Sequence, residues 1–247
     1  MKKLPVGIQL YSVRDACKSD FKGTVRELAK MGFKGVEFAW QWGDMAPDEV
    51  AAFLKECNMR VCGFHGGIPE ILDASSVAYA LSKVTGNRYL TTSMAGRVEK
   101  DWDAAIQDCV KAGKAAKAQG MQFTYHNHAQ EFATINGVYA LDQLYRSTKA
   151  DEVYAELDTH WIKRGGADPV AYIRQYKGRV PQVHLKDISA ANDHTELGTG
   201  VLDLKAIAAV AVEVGAEWLI YEQDISKIGP MESARVSMEN LKKAGLV

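Results

Sequence analysis

An eight-stranded (β/α) barrel, the TIM barrel, is the fold this sequence predicts, as a single domain over residues 1–247. Three observations carry the prediction. The 247 residues are close to the typical size of about 250 for such a barrel. Short apolar runs alternate strictly with helical patterns, which predicts a parallel sheet with helical crossovers. Several of the apolar runs end in carboxylates or imidazoles, and barrel active sites assemble from the C-terminal ends of strands. An open doubly wound sheet would instead be expected to carry a glycine-rich turn after an early strand. Gly63, Gly66 and Gly67 make no GxGxxG.

The elements follow in order. Val6–Val13 is the first strand, and Phe21–Lys30 repeats apolar residues at helical spacing until Met31-Gly32, a C-terminal stop. Gly35–Ala39 is the second strand, and Asp48–Cys57 a helix begun by Pro47. Arg60–His65 is the third strand, followed by a helical stretch over Ile68–Val84. Arg88–Ser93 is the fourth, followed by an amphipathic helix over Trp102–Ala118 that ends at Gly120. Gln122–His128 is the fifth, with a helix over Tyr139–Arg146. Val153–Asp158 is the sixth, with a helix over Pro169–Tyr176, and Pro181–Lys186 the seventh, with a helix over Asp203–Val214. Trp218–Glu222 is the eighth, and Met231–Lys243 the final helix.

Acidic and basic residues nearly cancel, for a formal charge of −1. No clustered Lys/Arg stripe of the kind that binds a phosphate backbone is present; the basic stretch Lys111–Lys117 lies on a helical pattern and reads as a solvated face. Nucleic acid is therefore not an expected partner. The four cysteines (Cys17, Cys57, Cys62, Cys109) show no CxxC spacing, so reduced buried thiols are expected. Leu4–Val13 is too short and too interrupted for a signal peptide or a membrane span. A cytoplasmic protein with no membrane partner is the expectation.

Side chains two apart on a strand share a face. His126 and His128 therefore go together, as do Glu156 with Asp158 and His184 with Lys186. Burying so many ionisable groups is costly unless they hold a cation or pair with one another. A mixed Asp, Glu and His set suits a borderline divalent cation. Asp158 lies about ten residues ahead of Pro169, too far to cap that helix, which leaves it a site role. His184 and Glu222 end their apolar runs as ligand candidates. Glu37 and His65 are placed to complete the rim, and Glu156 is placed either in the site or against Lys186 on the next strand. Trp40, Trp42 and Trp161 lie near strand ends, where they either stack on a sugar or cap the barrel. A phosphate would need a basic cluster or a helix N-terminus at the rim, for which only the stretch at Lys163–Gly166 offers itself, and a solvated loop is the plainer reading there.

The chain resembles the xylose isomerase-like barrel superfamily, in its sugar phosphate isomerase/epimerase group. The resemblance runs from Gly7-Ile-Gln-Leu-Tyr-Ser12 and Gly35-Val-Glu-Phe38 to Tyr125-His-Asn-His128 with Glu131-Phe132. It continues through Leu157-Asp-Thr-His-Trp161, Val183-His-Leu-Lys-Asp187, Glu196-Leu-Gly-Thr-Gly200 and Glu222-Gln-Asp224. It implies one divalent metal ion (Mn, Co, Zn or Mg) held by Glu, Asp, His and Glu on successive strands, of which Asp158, His184 and Glu222 match the last three. The first ligand departs from the pattern, because Tyr125 or His126 stands where the glutamate would. Glu131 is the expected replacement, with His126 the alternative, since a third anion better balances the cation.

The resemblance further implies a sugar or cyclitol substrate and proton abstraction α to its carbonyl, through a metal-stabilised enediolate. His126, Glu131 and Glu222 are the expected catalytic residues. Glu37, His65, His128, Trp161, Lys186 and Glu196 are expected around the substrate. Isomerisation or epimerisation is the first expectation. Dehydration of a keto-sugar or keto-inositol, or hydrolysis of a 3-keto-glycoside, is the alternative that the histidine pair suggests. An apurinic-site endonuclease is a remote one, disfavoured by only six histidines. A homodimer is compatible with the barrel.

Overall fold

In the computed structural model, which describes residues 3–247, eight parallel strands close into a barrel. They are β1 (Val6–Gln9), β2 (Gly35–Ala39), β3 (Arg60–His65), β4 (Tyr89–Thr92), β5 (Gln122–His126), β6 (Val153–Asp158), β7 (Gln182–Leu185) and β8 (Trp218–Tyr221). Each pairs with its successor, and β8 returns to β1 with Ile8 opposite Tyr221. Helices cover the outside. Strand residues such as Val36, Phe123, Leu157, Val183 and Leu219 bury their side chains against them in the main apolar core.

The alternate residues fill the barrel in layers. Cys62, Tyr89, Trp218 and Ile220 form a small apolar plug of their own at the N-terminal end. Above it lie Glu37, Thr91, Thr124, Glu156 and Gln182, and above those His126, Asp158, His184 and Glu222, all buried. The middle layer fits because β2 shifts register against β3 between Val36 and Glu37. A Cβ at Gly63 would stand 2.8 Å from Glu37 Oε2, so the glycine leaves the space that the carboxylate occupies.

Several expected boundaries move, each for a local reason. β1 stops at Gln9 and Leu10–Val13 turns into a 3₁₀ helix. The stretch expected to be one helix over Ile68–Val84 is two, Ile68–Leu72 and Val77–Thr85. Asp73 breaks it by accepting from the Ser75 N–H and hydroxyl. β5 ends at His126, so His128 lies beyond the strand. A helix at Thr159–Arg164, not anticipated, follows β6 directly, and two short hairpins, Thr134–Ile135 with Val138–Tyr139 and Asp187–Ile188 with His194–Thr195, sit in the loops. Among the described residues no helix is long and apolar enough to cross a membrane.

Candidate metal centre and active site

At the C-terminal mouth of the barrel, His126, Asp158, His184 and Glu222 bring one ligand atom each to within 4.8 Å of one another. Their backbones are tied together. Asn127 Oδ1 accepts the Asp158 N–H (3.0 Å), linking the ends of β5 and β6. Thr159 Oγ1 donates to the Lys186 carbonyl (2.7 Å) and accepts the Lys186 N–H (3.0 Å), linking β6 to β7. The Gln223 N–H donates to Ser12 Oγ (3.1 Å), linking the end of β8 to the turn after β1.

Asp158 has two roles. Its Oδ1 accepts the Trp161 N–H (2.9 Å) and caps the Thr159–Arg164 helix. The expectation that Asp158 is no helix cap is corrected here, since the helix it caps begins at the very next residue. Its Oδ2 is buried with no hydrogen-bond partner, 3.3 Å from Lys186 Nζ but without hydrogen-bond geometry, and 3.9 Å from His126 Nε2. Burial, with the Glu222 carboxylate adding to it, pushes the Asp158 carboxyl up to about 7 against the pull of Lys186. An orphaned carboxylate oxygen facing two imidazoles and a second carboxylate is a donor set that a borderline divalent cation fits.

His184 is gripped from both sides. Nδ1 lies 2.9 Å from Glu222 Oε2, while Nε2 lies 3.1 Å from Glu156 Oε1 and 3.2 Å from Glu37 Oε2. Burial alone would lower its pKa, but the glutamates raise it well above the usual range. Of the two floor carboxylates, burial and the neighbouring Glu37 raise Glu156 to about 7. Glu37 is held at about 2 against burial by His184 and His65. Gln9 Nε2 donates to Glu37 Oε1 (2.7 Å) and lies 3.3 Å from His65 Nδ1. Glu156 is thus in the site beside His184 and His126, and its ion-pair alternative with Lys186 is not formed. Gln9 and Asp224 are site residues the sequence reading missed. Both lie beside strand ends and within motifs that carry the resemblance, Gly7–Ser12 and Glu222–Asp224, which is the signal that could have marked them.

Lys186 Nζ is shared among three carboxylates, at 2.5 Å from Asp224 Oδ2, 3.1 Å from Glu222 Oε2 and 3.3 Å from Asp158 Oδ2, with the Trp161 ring 5.1 Å below it. Burial would raise the Glu222 carboxyl, but Lys186 and His184 hold it well below the usual carboxylate range. A cavity of about 540 Å³ opens over the cluster and is reached by Glu222, Asp224, His126, His128 and His65. Burial lowers the His126 imidazole well below its usual range and His128 to about 4, so both are neutral at pH 7. His128 Nδ1 lies 2.8 Å from Ser93 Oγ.

Two expected site residues lie elsewhere. Glu131 is not with the metal-capable group; its place there is taken by His126. Neighbouring residues on a strand face opposite ways, and Tyr125 points out of the barrel, where its hydroxyl donates to Glu131 Oε1 (2.7 Å) while the His128 N–H donates to Oε2 (3.0 Å). Glu131 therefore holds the loop after β5 in place. Glu196 accepts from Ser233 Oγ (2.6 Å) and Gln223 Nε2 (3.2 Å) and ties its loop to the last helix. The rest of the Glu196–Gly200 motif is organised by Asp187, whose carboxylate accepts from the N–H groups of Gly198 and Gly200 (3.0 Å each). A Cβ at Gly200 would stand 2.2 Å from that carboxylate.

Burial raises the Glu131 carboxyl to about 7, against about 4.3 in an unfolded chain. Between those values the folded protein binds the extra proton, so this group's contribution falls as pH rises through the window. Glu131→Gln is expected to remove that part of the pH dependence, roughly 4 kcal/mol at most, and to leave metal stoichiometry unchanged. Thermal melts from pH 4 to 8 and elemental analysis check both; loss of bound metal would return Glu131 to the ligand set.

The model of the family described as xylose isomerase-like TIM barrel matches residues 25–244. An inosose dehydratase from Clostridium botulinum (strain Alaska E43) is 25% identical, over 97% of this chain and 95% of its own. A sugar phosphate isomerase/epimerase from Parabacteroides distasonis superposes with a TM-score of 0.85 at 21% identity, covering 100% of this chain and 96% of its own. The IOLI protein with a bound zinc atom superposes with a TM-score of 0.73 at 14% identity, covering 97% of each chain.

Proposed function

We propose that this chain, which belongs to the xylose isomerase-like TIM barrel family, is a metal-dependent lyase that eliminates water from a keto-cyclitol or keto-sugar. The observation that carries the reading is the make-up of the cavity over the cluster, whose two lining carboxylates, Glu222 and Asp224, sit side by side on the Lys186 ammonium, with neutral imidazoles beside them. Epimerisation needs a proton removed from one face of a carbon and returned to the other, hence two groups facing each other across the ring. Elimination of a hydroxyl on the same face as the proton needs only one. The similarity to an inosose dehydratase over nearly the whole chain speaks for the same choice.

His126, Asp158, His184 and Glu222 would hold the cation, which when bound supplies Lewis-acid polarisation of the substrate carbonyl. Glu222, ionised beside Lys186, takes the proton α to the carbonyl on a carboxylate oxygen. It then returns that proton to the β-hydroxyl, which leaves as water while the carbon–carbon double bond forms. The Lys186 ammonium, 3.1 Å from Glu222 Oε2, keeps that carboxylate ionised and so free to accept the proton. His65 and His128 line the cavity and are placed to hydrogen-bond the remaining hydroxyls. The enol product tautomerises to a dione.

Incubation of the metal-loaded protein with a keto-inositol in D₂O, followed by NMR, tests this. The expected result is a dehydrated dione, formed only with metal present. Recovery of an epimer carrying deuterium at the α-carbon, with no dehydrated product, would make the enzyme an epimerase; no change in any keto-sugar of a panel would overturn both.

A further inference from the structure

The cavity is larger than one ring requires, and its two halves differ. Over the cluster it is lined by ionisable groups. The other half, beyond β2, β3 and β4, is lined by Trp40, Gly66, Gly67, Met94, Ala95 and Gly96, none of them charged. At about 540 Å³ the whole space falls within the range of roughly 300–1,000 Å³ that encloses a drug-sized ligand. A keto-cyclitol held against Glu222 leaves the outer half empty.

Trp40 sits at that outer edge, just past the end of β2. It is 58% exposed, and its ring centroid is 5.5 Å from that of His65, which lines the inner half. Its backbone has φ +57°, a conformation costly for a bulky side chain and one that persists where the surroundings enforce it, often at ligand clamps. An exposed indole has a flat apolar face suited to the C–H face of a sugar ring. Elsewhere in the lining, a Cβ at Gly96 would meet nothing within 4 Å, and one at Gly67 would meet only Pro69 Cδ, at 3.6 Å.

Charge narrows the ligand further. Among the described residues lining the cavity there is no lysine or arginine. The nearby Lys186 is already shared among Asp158, Glu222 and Asp224, and Arg14 donates to the Tyr11 carbonyl (2.9 Å) and lies against the Tyr11 ring. A phosphate on the substrate would find carboxylates and imidazoles but no cation among the residues that line the cavity.

We propose that the outer half is a subsite for a second, uncharged sugar ring stacked on Trp40, so that the substrate is an unphosphorylated keto-glycoside with two rings. The inference rests on the lyase reading for the inner ring alone. The inner ring is the oxidised one, and the outer ring contributes binding without chemistry.

Binding of unoxidised sugars separates this from the reaction. Calorimetric titration of the metal-loaded protein with trehalose, cellobiose and maltose is compared with glucose, myo-inositol and glucose 6-phosphate. At least one disaccharide is expected to bind about tenfold more tightly than either single ring, the scale of one aromatic stacking contact. Trp40→Ala should bring that ratio close to one, and Trp40→Phe should retain most of it. Gly96→Phe, at a lining position where a Cβ meets nothing within 4 Å, should also collapse the ratio, so the inference survives even if Trp40→Ala folds poorly. Equal affinity for one and two rings in the wild type, an unchanged ratio in both the Trp40→Ala and Gly96→Phe variants, or tightest binding of glucose 6-phosphate would each overturn it. None of these outcomes bears on whether a keto-inositol loses water, which the NMR assay decides separately.

Discussion

Asp158→Asn is expected to weaken divalent-metal binding by at least about 100-fold, more than the 10–100-fold typical of losing a group that only supports a ligand, while the protein stays folded. The two oxygens of Asp158 do separate work: Oδ1 caps the Thr159–Arg164 helix and Oδ2 faces the cluster without a partner. Asparagine can keep the cap through its carbonyl oxygen, but it presents an NH₂ group and no charge to His126, His184 and Glu222. Asp158→Ala loses both functions and should cost about 1 kcal/mol more in the metal-free protein, the usual value of an N-cap. Metal content by elemental analysis and thermal melts with and without chelator distinguish the variants. If Asp158→Asn retains stoichiometric metal at wild-type affinity, the cluster is not the metal centre. Dehydration of a keto-inositol should fall with the metal, and restoring metal at high concentration should recover part of it.

The fold was legible because its evidence is periodic. β2, β3 and β6 occupy the residues that their apolar runs predict, Gly35–Ala39, Arg60–His65 and Val153–Asp158, and the inward alternation of Gln182 with His184 and of Glu156 with Asp158 follows from the two-residue period. What the sequence hid depends on short-range hydrogen bonding and on three-dimensional crowding. The helix after β6 is six residues long and depends on a cap by Asp158, a residue with an evident role elsewhere. Glu131 looked like a ligand because it lies five residues past His126 and supplies a charge. Its distance from the cluster is set by the outward side chain of Tyr125, to which it bonds, and by β5 ending at His126. Glu196 looked like a substrate contact, yet it anchors the last helix, and the glycines that follow it admit the Asp187 carboxylate. Glu37 needs the register shift in β2 and the missing side chain of Gly63 to reach His184, and neither can be read from a single strand's pattern.

Lys186→Met is expected to be among the most destabilising single changes in the metal-free protein and to be rescued by metal. Lys186 is fully buried among Asp158, Glu222 and Asp224, and methionine fills similar space without charge. Removing one partner of a buried ionic network leaves uncompensated charge and costs roughly 3–5 kcal/mol, which for a chain of this size is on the order of 10 °C in Tm. The sign of the pH dependence follows from the carboxylates left behind. Asp158 already sits at about 7 with Lys186 present, against about 3.9 in the unfolded chain. Without the ammonium it moves further up. A raised carboxyl pKa stabilises the folded state below the unfolded value and forfeits that stability as pH rises through the window. The deficit of Lys186→Met should therefore be small near pH 4 and grow through neutrality. Lys186's own pKa is raised, so the wild-type contribution persists to alkaline pH. A divalent cation held by Asp158, Glu222, His126 and His184 restores positive charge at the same spot, so saturating metal should raise the Tm of Lys186→Met by more than it raises that of wild type. Melts at pH 4, 6 and 8, each with chelator and with added zinc or manganese, measure all three effects. A variant as stable as wild type at pH 8 in chelator would mean that the three carboxylates share protons well enough to dispense with the lysine, and the charge balance assigned to this site would be wrong.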